Sequence, residues 1–123
     1  MVGSHEVETQ QSVDVYLSLP HTLYMYIANL SKANYSNHGI IIRKMIAYIQ
    51  EYDLSGEINR DEWICLIDKP VSQDSIYIRM PDILHDFIIQ NSKYYGLSKT
   101  GFIRHIVNYF YQNNAKIGVN FNE

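Results

Sequence analysis

Two short stretches decide the reading of this chain, VDVYLSLP at 13–20 and SIYIRMP at 75–81. In the first, Val15, Leu17 and Leu19 alternate with Asp14, Tyr16 and Ser18; in the second, Ile76, Ile78 and Met80 alternate with Ser75, Tyr77 and Arg79. Alternation of that period is the mark of a strand buried on one face only. Each stretch runs into a proline, Pro20 or Pro81, which cannot donate to a ladder but suits the first turn of a helix.

Working outward, the residues that follow each proline also correspond. Sliding the sequence by 61 places lays 15–50 on 76–111 without a gap. Identities are Tyr16/Tyr77, Pro20/Pro81, Leu23/Leu84, Ile27/Ile88, Ser31/Ser92, Lys32/Lys93, Ile42/Ile103, Arg43/Arg104 and Tyr48/Tyr109. The apolar places are kept elsewhere too, as in Val15/Ile76, Leu19/Met80, Ile41/Phe102 and Met45/Ile106. Self-similarity at a fixed offset is the signature of a repeated unit. Each unit reads as strand, helix, turn, helix. Leu23, Tyr26, Ile27 and Leu30 recur at helical spacing after Pro20, and Leu84, Phe87 and Ile88 do so after Pro81. Breaks follow at 34–37 and 95–98, where Asn37 and Ser98 are placed to cap second helices over roughly 38–52 and 99–112.

One strand with two short helices leaves backbone groups unpaired and is too small to bury a core. Two copies remove both difficulties. The expected fold is α+β and mostly helical: two tandem units form an intramolecular pseudo-dimer, a two-stranded antiparallel ribbon with four main helices closing over its apolar side. Pairing about a local two-fold sets Tyr16 opposite Tyr77, Asp14 opposite Arg79 and Ser18 opposite Ser75. The divisions are an N-terminal arm at 1–12, a first unit at 13–52, an acidic connector with a short apolar element at 53–73, a second unit at 74–112 and a loosely held tail at 113–123.

Composition agrees with a packed domain, since 46% of the 123 residues are apolar and 19% charged, both spread along the chain. No apolar run is long enough to span a membrane and no signal pattern opens the chain, so an intracellular protein is expected. The net charge of −3 is unfavourable for a nucleic-acid binder, but its distribution is not. Residues 15–50 hold Lys32, Arg43 and Lys44 and no acid, and 75–122 hold five cations against Asp82 and Asp86. The acids concentrate in the connector. Cys65 is the single cysteine, which excludes an internal disulfide, and its apolar neighbours suit a buried inert thiol. His5, His21, His38, His85 and His105 show no metal-ligand spacing, and no catalytic constellation stands out. Neither a cofactor nor a small-molecule substrate is expected, and catalysis is not.

The order strand, proline, helix, turn, helix resembles the ribbon-helix-helix family of repressors, the Arc and MetJ type. The resemblance covers 13–52 and 74–112. It implies a sequence-specific transcriptional regulator whose ribbon enters the major groove of double-stranded operator DNA. The family's base-reading side chains stand two, four and six places before the residue that is Pro20 or Pro81 here. That carries the role to Ser18, Tyr16 and Asp14 and to Arg79, Tyr77 and Ser75. The family's second helix opens with a pattern like G-x-S-R-S-E-L-I-R. The chain has Gly96-Leu97-Ser98-Lys99-Thr100-Gly101-Phe102-Ile103-Arg104, with Gly101 in place of the acid. In the first unit Tyr35 replaces the glycine, and Asn37-His38-Gly39 replaces the Ser-basic-Ser run. In the family, main-chain N–H groups here hold a DNA phosphate. The resemblance thus assigns phosphate contact to Asn37, His38 and Gly39 and to Ser98, Lys99 and Thr100, where Gly39 and Gly101 permit close backbone approach. Family members generally dimerise; here a dimer is written in one chain, as in regulators of archaeal filamentous viruses, which the Ile- and Tyr-rich composition also resembles. A cytoplasmic site of action follows, in the host cell if the protein is viral.

Plainer roles stand beside these. Tyr16 and Tyr77 also suit a solvated strand face, and Arg43 and Arg104 read as solvating charges beside the apolar stripe rather than phosphate ligands. A protein-interaction module, antitoxin-like or a co-regulator with weak DNA binding, is the alternative, favoured by the net acidity and by Asp14. One ribbon reads few base pairs, so self-association along DNA is expected, through Trp63 and the connector or through Ile117, Val119 and Phe121 of the tail.

Overall fold

A computed structural model describes residues 11–58, 75–114 and 121. The chain runs β1 (Ser12–Leu17), α1 (His21–Ala33), α2 (His38–Glu51), a 3₁₀ turn (Ser55–Glu57), β2 (Ile76–Pro81), α3 (Asp82–Tyr95) and α4 (Lys99–Asn113). It is α+β and mostly helical, with a single two-stranded sheet among the described residues. The strands pair antiparallel within the chain, with Asp14 opposite Arg79, Val15 opposite Ile78 and Tyr16 opposite Tyr77. The ladder ends at Leu17↔Ile76, so Ser18 and Ser75, expected as a further rung, lie just beyond it. The carbonyl of Ser18 is taken instead by the Arg104 guanidinium at 3.3 Å. At the other end the N–H of Asp82 donates to the carbonyl of Gln11 at 3.2 Å, carrying the pairing past Pro81.

Alternation along the strands separates the two faces of the ribbon. Val15, Leu17, Ile76, Ile78 and Met80 are buried, while Asp14, Tyr16, Tyr77 and Arg79 are exposed. On the buried side the ribbon meets Leu23 and Ile27 of α1, Ile41, Ile42, Met45, Ile46 and Ile49 of α2, Ile88 of α3, and Phe102, Ile103, Ile106, Val107 and Phe110 of α4 in one core. α2 lies along β2, and the four helices pack on one another through the same core.

Helix boundaries follow from the sequence signals. The side chain of Asn37 accepts from the N–H of Ile40 at 2.9 Å, and that of Ser98 accepts from the N–H of Gly101 at 3.0 Å, each at the start of a second helix. The turns before them share one backbone feature: Gly96 has φ 70° and Tyr35, 61 residues earlier, has φ 51°. Glycine takes that conformation freely, whereas an L side chain there costs about 1–2 kcal/mol. Tyr35 is 94% exposed, so its ring contributes little packing in return. Tyr35→Gly is therefore expected to stabilise the fold by about 0.5–1 kcal/mol, the strain relieved exceeding the extra freedom glycine gives the unfolded chain. Urea unfolding measures it, and an unchanged or lowered midpoint would remove the strain argument.

The start of the connector is packed rather than loose. Leu54 and Ile58 are half-buried against the core, and the hydroxyl of Tyr95 donates to the carbonyl of Ser55 at 3.0 Å. The apolar stretch with Trp63 and Cys65 lies outside the described residues, as do Ile117 and Val119. Of the tail residues expected to form an association surface, Phe121 is described, and the expectation is corrected for this residue. It is buried, with its ring centroid 6.4 Å from that of Phe110, and its carbonyl accepts from the Lys44 ammonium at 3.4 Å. A large apolar ring is worth more in the chain's own core than at a polar tail's surface. Tyr26 closes the nearby end of α4: its hydroxyl donates to the Oδ1 of Asn114 at 3.1 Å, and burial pushes its pKa up to about 12.

Candidate nucleic-acid interface

The outward face of the ribbon gathers Ser12, Asp14, Tyr16, Tyr77 and Arg79, all exposed. Successive outward side chains of two paired strands stand in a compact array because neighbouring strands are only about 5 Å apart. The Tyr16 and Tyr77 rings meet across the ladder at 5.5 Å between centroids. The hydroxyl of Tyr77 donates to the Oδ1 of Asp14 at 2.8 Å, and the Nε of Arg79 donates to the Oγ of Ser12 at 3.2 Å. The bond to Asp14 holds the Tyr77 pKa above its ordinary value, because ionisation would lose that bond and set a second negative charge beside the carboxylate.

The ribbon is fastened from beneath by two arginines. The Nη1 of Arg43 in α2 donates to the carbonyl of Arg79 at 3.0 Å, and the Nη1 of Arg104 in α4 donates to the carbonyl of Ser18. Donors and acceptors are both 61 residues apart. Reading Arg43 and Arg104 as solvating charges missed this role; the signal available was their identity at positions 61 apart, each directly after an apolar stripe. Desolvation lowers the Arg104 pKa from its ordinary value, as partial burial of a cation must.

Beside β2 lies an open groove of about 580 Å³ whose lining includes Lys32, Asn37, His38, Gly39, Ser75 and Tyr77. It brings residues assigned to phosphate contact together with two assigned to base reading, and adds Lys32. α2 begins here, so the unpaired N–H groups of its first turn give this end of the groove a partial positive charge. Gly39 itself is buried, and a Cβ built on it would stand 2.5 Å from the carbonyl oxygen of Tyr77. Its missing side chain thus serves the approach of α2 to the chain's own ribbon. The corresponding position in α4 is Thr100.

At the start of α4, Ser98 is exposed, and Lys99 and Thr100 are half-exposed. The Nζ of Lys99 lies 3.1 Å from the Nε2 of His85. An ammonium has three donors, so this contact leaves two for another acceptor. Ser18 is half-buried, which makes it the least accessible of the six ribbon residues assigned to base reading. A second cleft, about 220 Å³, lies at the far end of the ribbon between Gln11, Ser12, Arg43, Arg79 and Pro81. Ser12 went unnoticed in the sequence, although it continues the alternation of Asp14 and Tyr16 by one more step.

Among the described residues no group of His, Cys, Asp and Glu could hold a metal ion, and no helix is long and apolar enough to cross a membrane. Comparison of the chain with protein-family models, with curated proteins and with solved structures finds no match.

Proposed function

We propose that this chain is a sequence-specific DNA-binding transcriptional regulator made of two tandem ribbon-helix-helix units, and that it works by placing its two-stranded ribbon in the major groove. The observation that carries the reading is the ribbon itself. Among the described residues it is a lone antiparallel pair, with a buried apolar face and a polar outer face bearing Asp14, Tyr16, Tyr77 and Arg79. A groove about 12 Å wide admits such a ribbon, and the outer side chains then reach base edges. The start of α2, capped by Asn37, lies beside β2, and the backbone N–H groups there and at the Ser98-capped start of α4 suit phosphates. The matched bonds of Arg43 and Arg104, 61 residues apart at both ends, support a local two-fold and with it the duplication. The protein acts on DNA in the cytoplasm and associates along it, with Phe121 excluded from the contact by its burial.

The competing reading, a protein-interaction module, draws on Asp14, a carboxylate on the outer face bonded by Tyr77. Titrating the protein onto mixed duplex fragments at a series of salt concentrations separates the two. A DNA binder holds duplex tightly at low salt and loses affinity linearly in log–log form as counterions are released, whereas an interaction module binds duplex only weakly even at low salt. Lys99→Ala is expected to weaken all duplexes alike and to reduce the salt slope by about one. Unchanged affinity and slope would remove Lys99 from the interface.

A further inference from the structure

Resting on the reading above, we infer that the protein recognises a directional, non-palindromic duplex: one half of its ribbon selects a G·C pair, and the other is sequence-tolerant. A homodimeric ribbon presents the same side chains twice and so reads a two-fold symmetric site. This ribbon does not. The local two-fold passes between Tyr16 and Tyr77, which face each other in the ladder. It relates Asp14 to Ser75 and Arg79 to Ser18, so that charge is confined to one half and only hydroxyls occupy the other.

In the charged half, Asp14 and Arg79 are direct ladder partners. They place an acceptor and a donor side by side, in the arrangement that complements one base pair. In the major groove guanine offers the O6 and N7 acceptors and its cytosine offers an N4 donor beside them. Arg79 is exposed, and the only side-chain hydrogen bond it makes among the described residues uses Nε, to Ser12; its two terminal nitrogens therefore remain for a bidentate contact. Among the described residues the Asp14 side chain receives one bond, from Tyr77 to Oδ1, which holds the carboxylate and leaves Oδ2 for a cytosine amino group.

The tyrosines carry the same asymmetry. Tyr77 leans toward the charged half through its bond to Asp14, whereas Tyr16 makes no corresponding hydrogen bond among the described residues and is the more exposed, 60% against 47%. The flanks differ as well, since α2 is drawn against β2 at Gly39 where α4 has Thr100. In the uncharged half, Ser18 and Ser75 offer only hydroxyls, which donate to or accept from any base and discriminate weakly.

Selection of bound fragments from random duplex DNA with the full chain tests this. The expected result is an enriched site without two-fold symmetry, containing a G·C pair on one side of its centre. Replacing that pair by A·T in a competition assay weakens binding about 10-fold or more, while the same replacement at the mirror position changes it less than about two-fold. A site palindromic about the centre of a single ribbon's footprint, or equal losses at the two positions flanking that centre, would overturn the inference while leaving DNA binding intact. Absence of any DNA binding at low salt would instead overturn the proposed function on which it rests. The variant Ser18→Arg with Ser75→Asp restores symmetry to the ribbon and should enrich a palindrome with G·C on both sides; a folded double variant that selects the wild-type site counts against the inference.

Discussion

Gly39→Ala is expected to destabilise the protein by about 1–3 kcal/mol, a larger loss than the same change at Gly56 or Gly101. The reason is what the methyl group would meet. A Cβ at position 39 stands 2.5 Å from the Tyr77 carbonyl oxygen and 3.5 Å from the Ile78 Cα, both main-chain atoms of β2. Backbone in a paired strand cannot swing aside as a side chain can, so α2 or β2 must shift. The roughly 1 kcal/mol that alanine gains over glycine within a helix offsets only part of this. Two comparisons calibrate the result. Gly56 has nothing within 4 Å, so Gly56→Ala is expected to be nearly silent. At Gly101 the nearest atom is the Oγ of Ser98 at 2.9 Å, which can rotate but is also the cap of α4, so Gly101→Ala is expected to fall between. Because Gly39 bears on Tyr77, its replacement also displaces the outer face of the ribbon, and DNA affinity should fall with stability. Denaturant midpoints for the three variants provide the check. Equal stability of Gly39→Ala and wild type would mean that α2 does not lie against β2 at this point.

How much of this was legible in the sequence depends on whether the determining contact is local or distant. Strand alternation exposed the two faces of the ribbon because a period of two is written in consecutive residues, and Asn37 and Ser98 were legible as caps because capping acts over three residues. Pairing register followed from the offset of 61, which ties the distant strands together, and the structure sets Asp14 opposite Arg79 and Tyr16 opposite Tyr77. What escaped was the set of long-range partners. Arg43 and Arg104 looked like surface charges because nothing near them in the sequence shows that a main-chain carbonyl in or next to a strand, 36 or 86 residues away, lies within their reach. Phe121 looked like part of a free tail because its partner Phe110 belongs to a helix already accounted for. Gly39 was read as permitting close approach to a phosphate, whereas the group it stands against in the structure is the Tyr77 carbonyl. Among the site residues, those on the strands could be placed on a face from the sequence. The groove joining Lys32 and Asn37 to Ser75 depends on how α1 and α2 sit against β2, which no local pattern encodes.

The other large effect is expected at Arg79. Arg79→Ala should abolish preference among DNA sequences, a loss of roughly 1–3 kcal/mol of discrimination, while the fold is retained. Retention is expected because the side chain is exposed and its main-chain carbonyl, which anchors Arg43, survives the substitution. The side chain's one bond, to Ser12, lies on the surface and contributes little to stability. Discrimination falls because Arg79 is the cationic side chain of the outer face, and a guanidinium fork matches the O6 and N7 of guanine in a way that tyrosine and serine hydroxyls do not. Arg79→Lys separates charge from shape: it should keep most of the affinity for mixed DNA, since a phosphate-rich surface still meets a cation, yet lose most of the preference. Competition binding against a selected site and a scrambled one measures both quantities together. If Arg79→Ala keeps its full preference in that assay, the ribbon is not the reading surface, and the protein-interaction reading, with Asp14 facing a basic partner, takes its place.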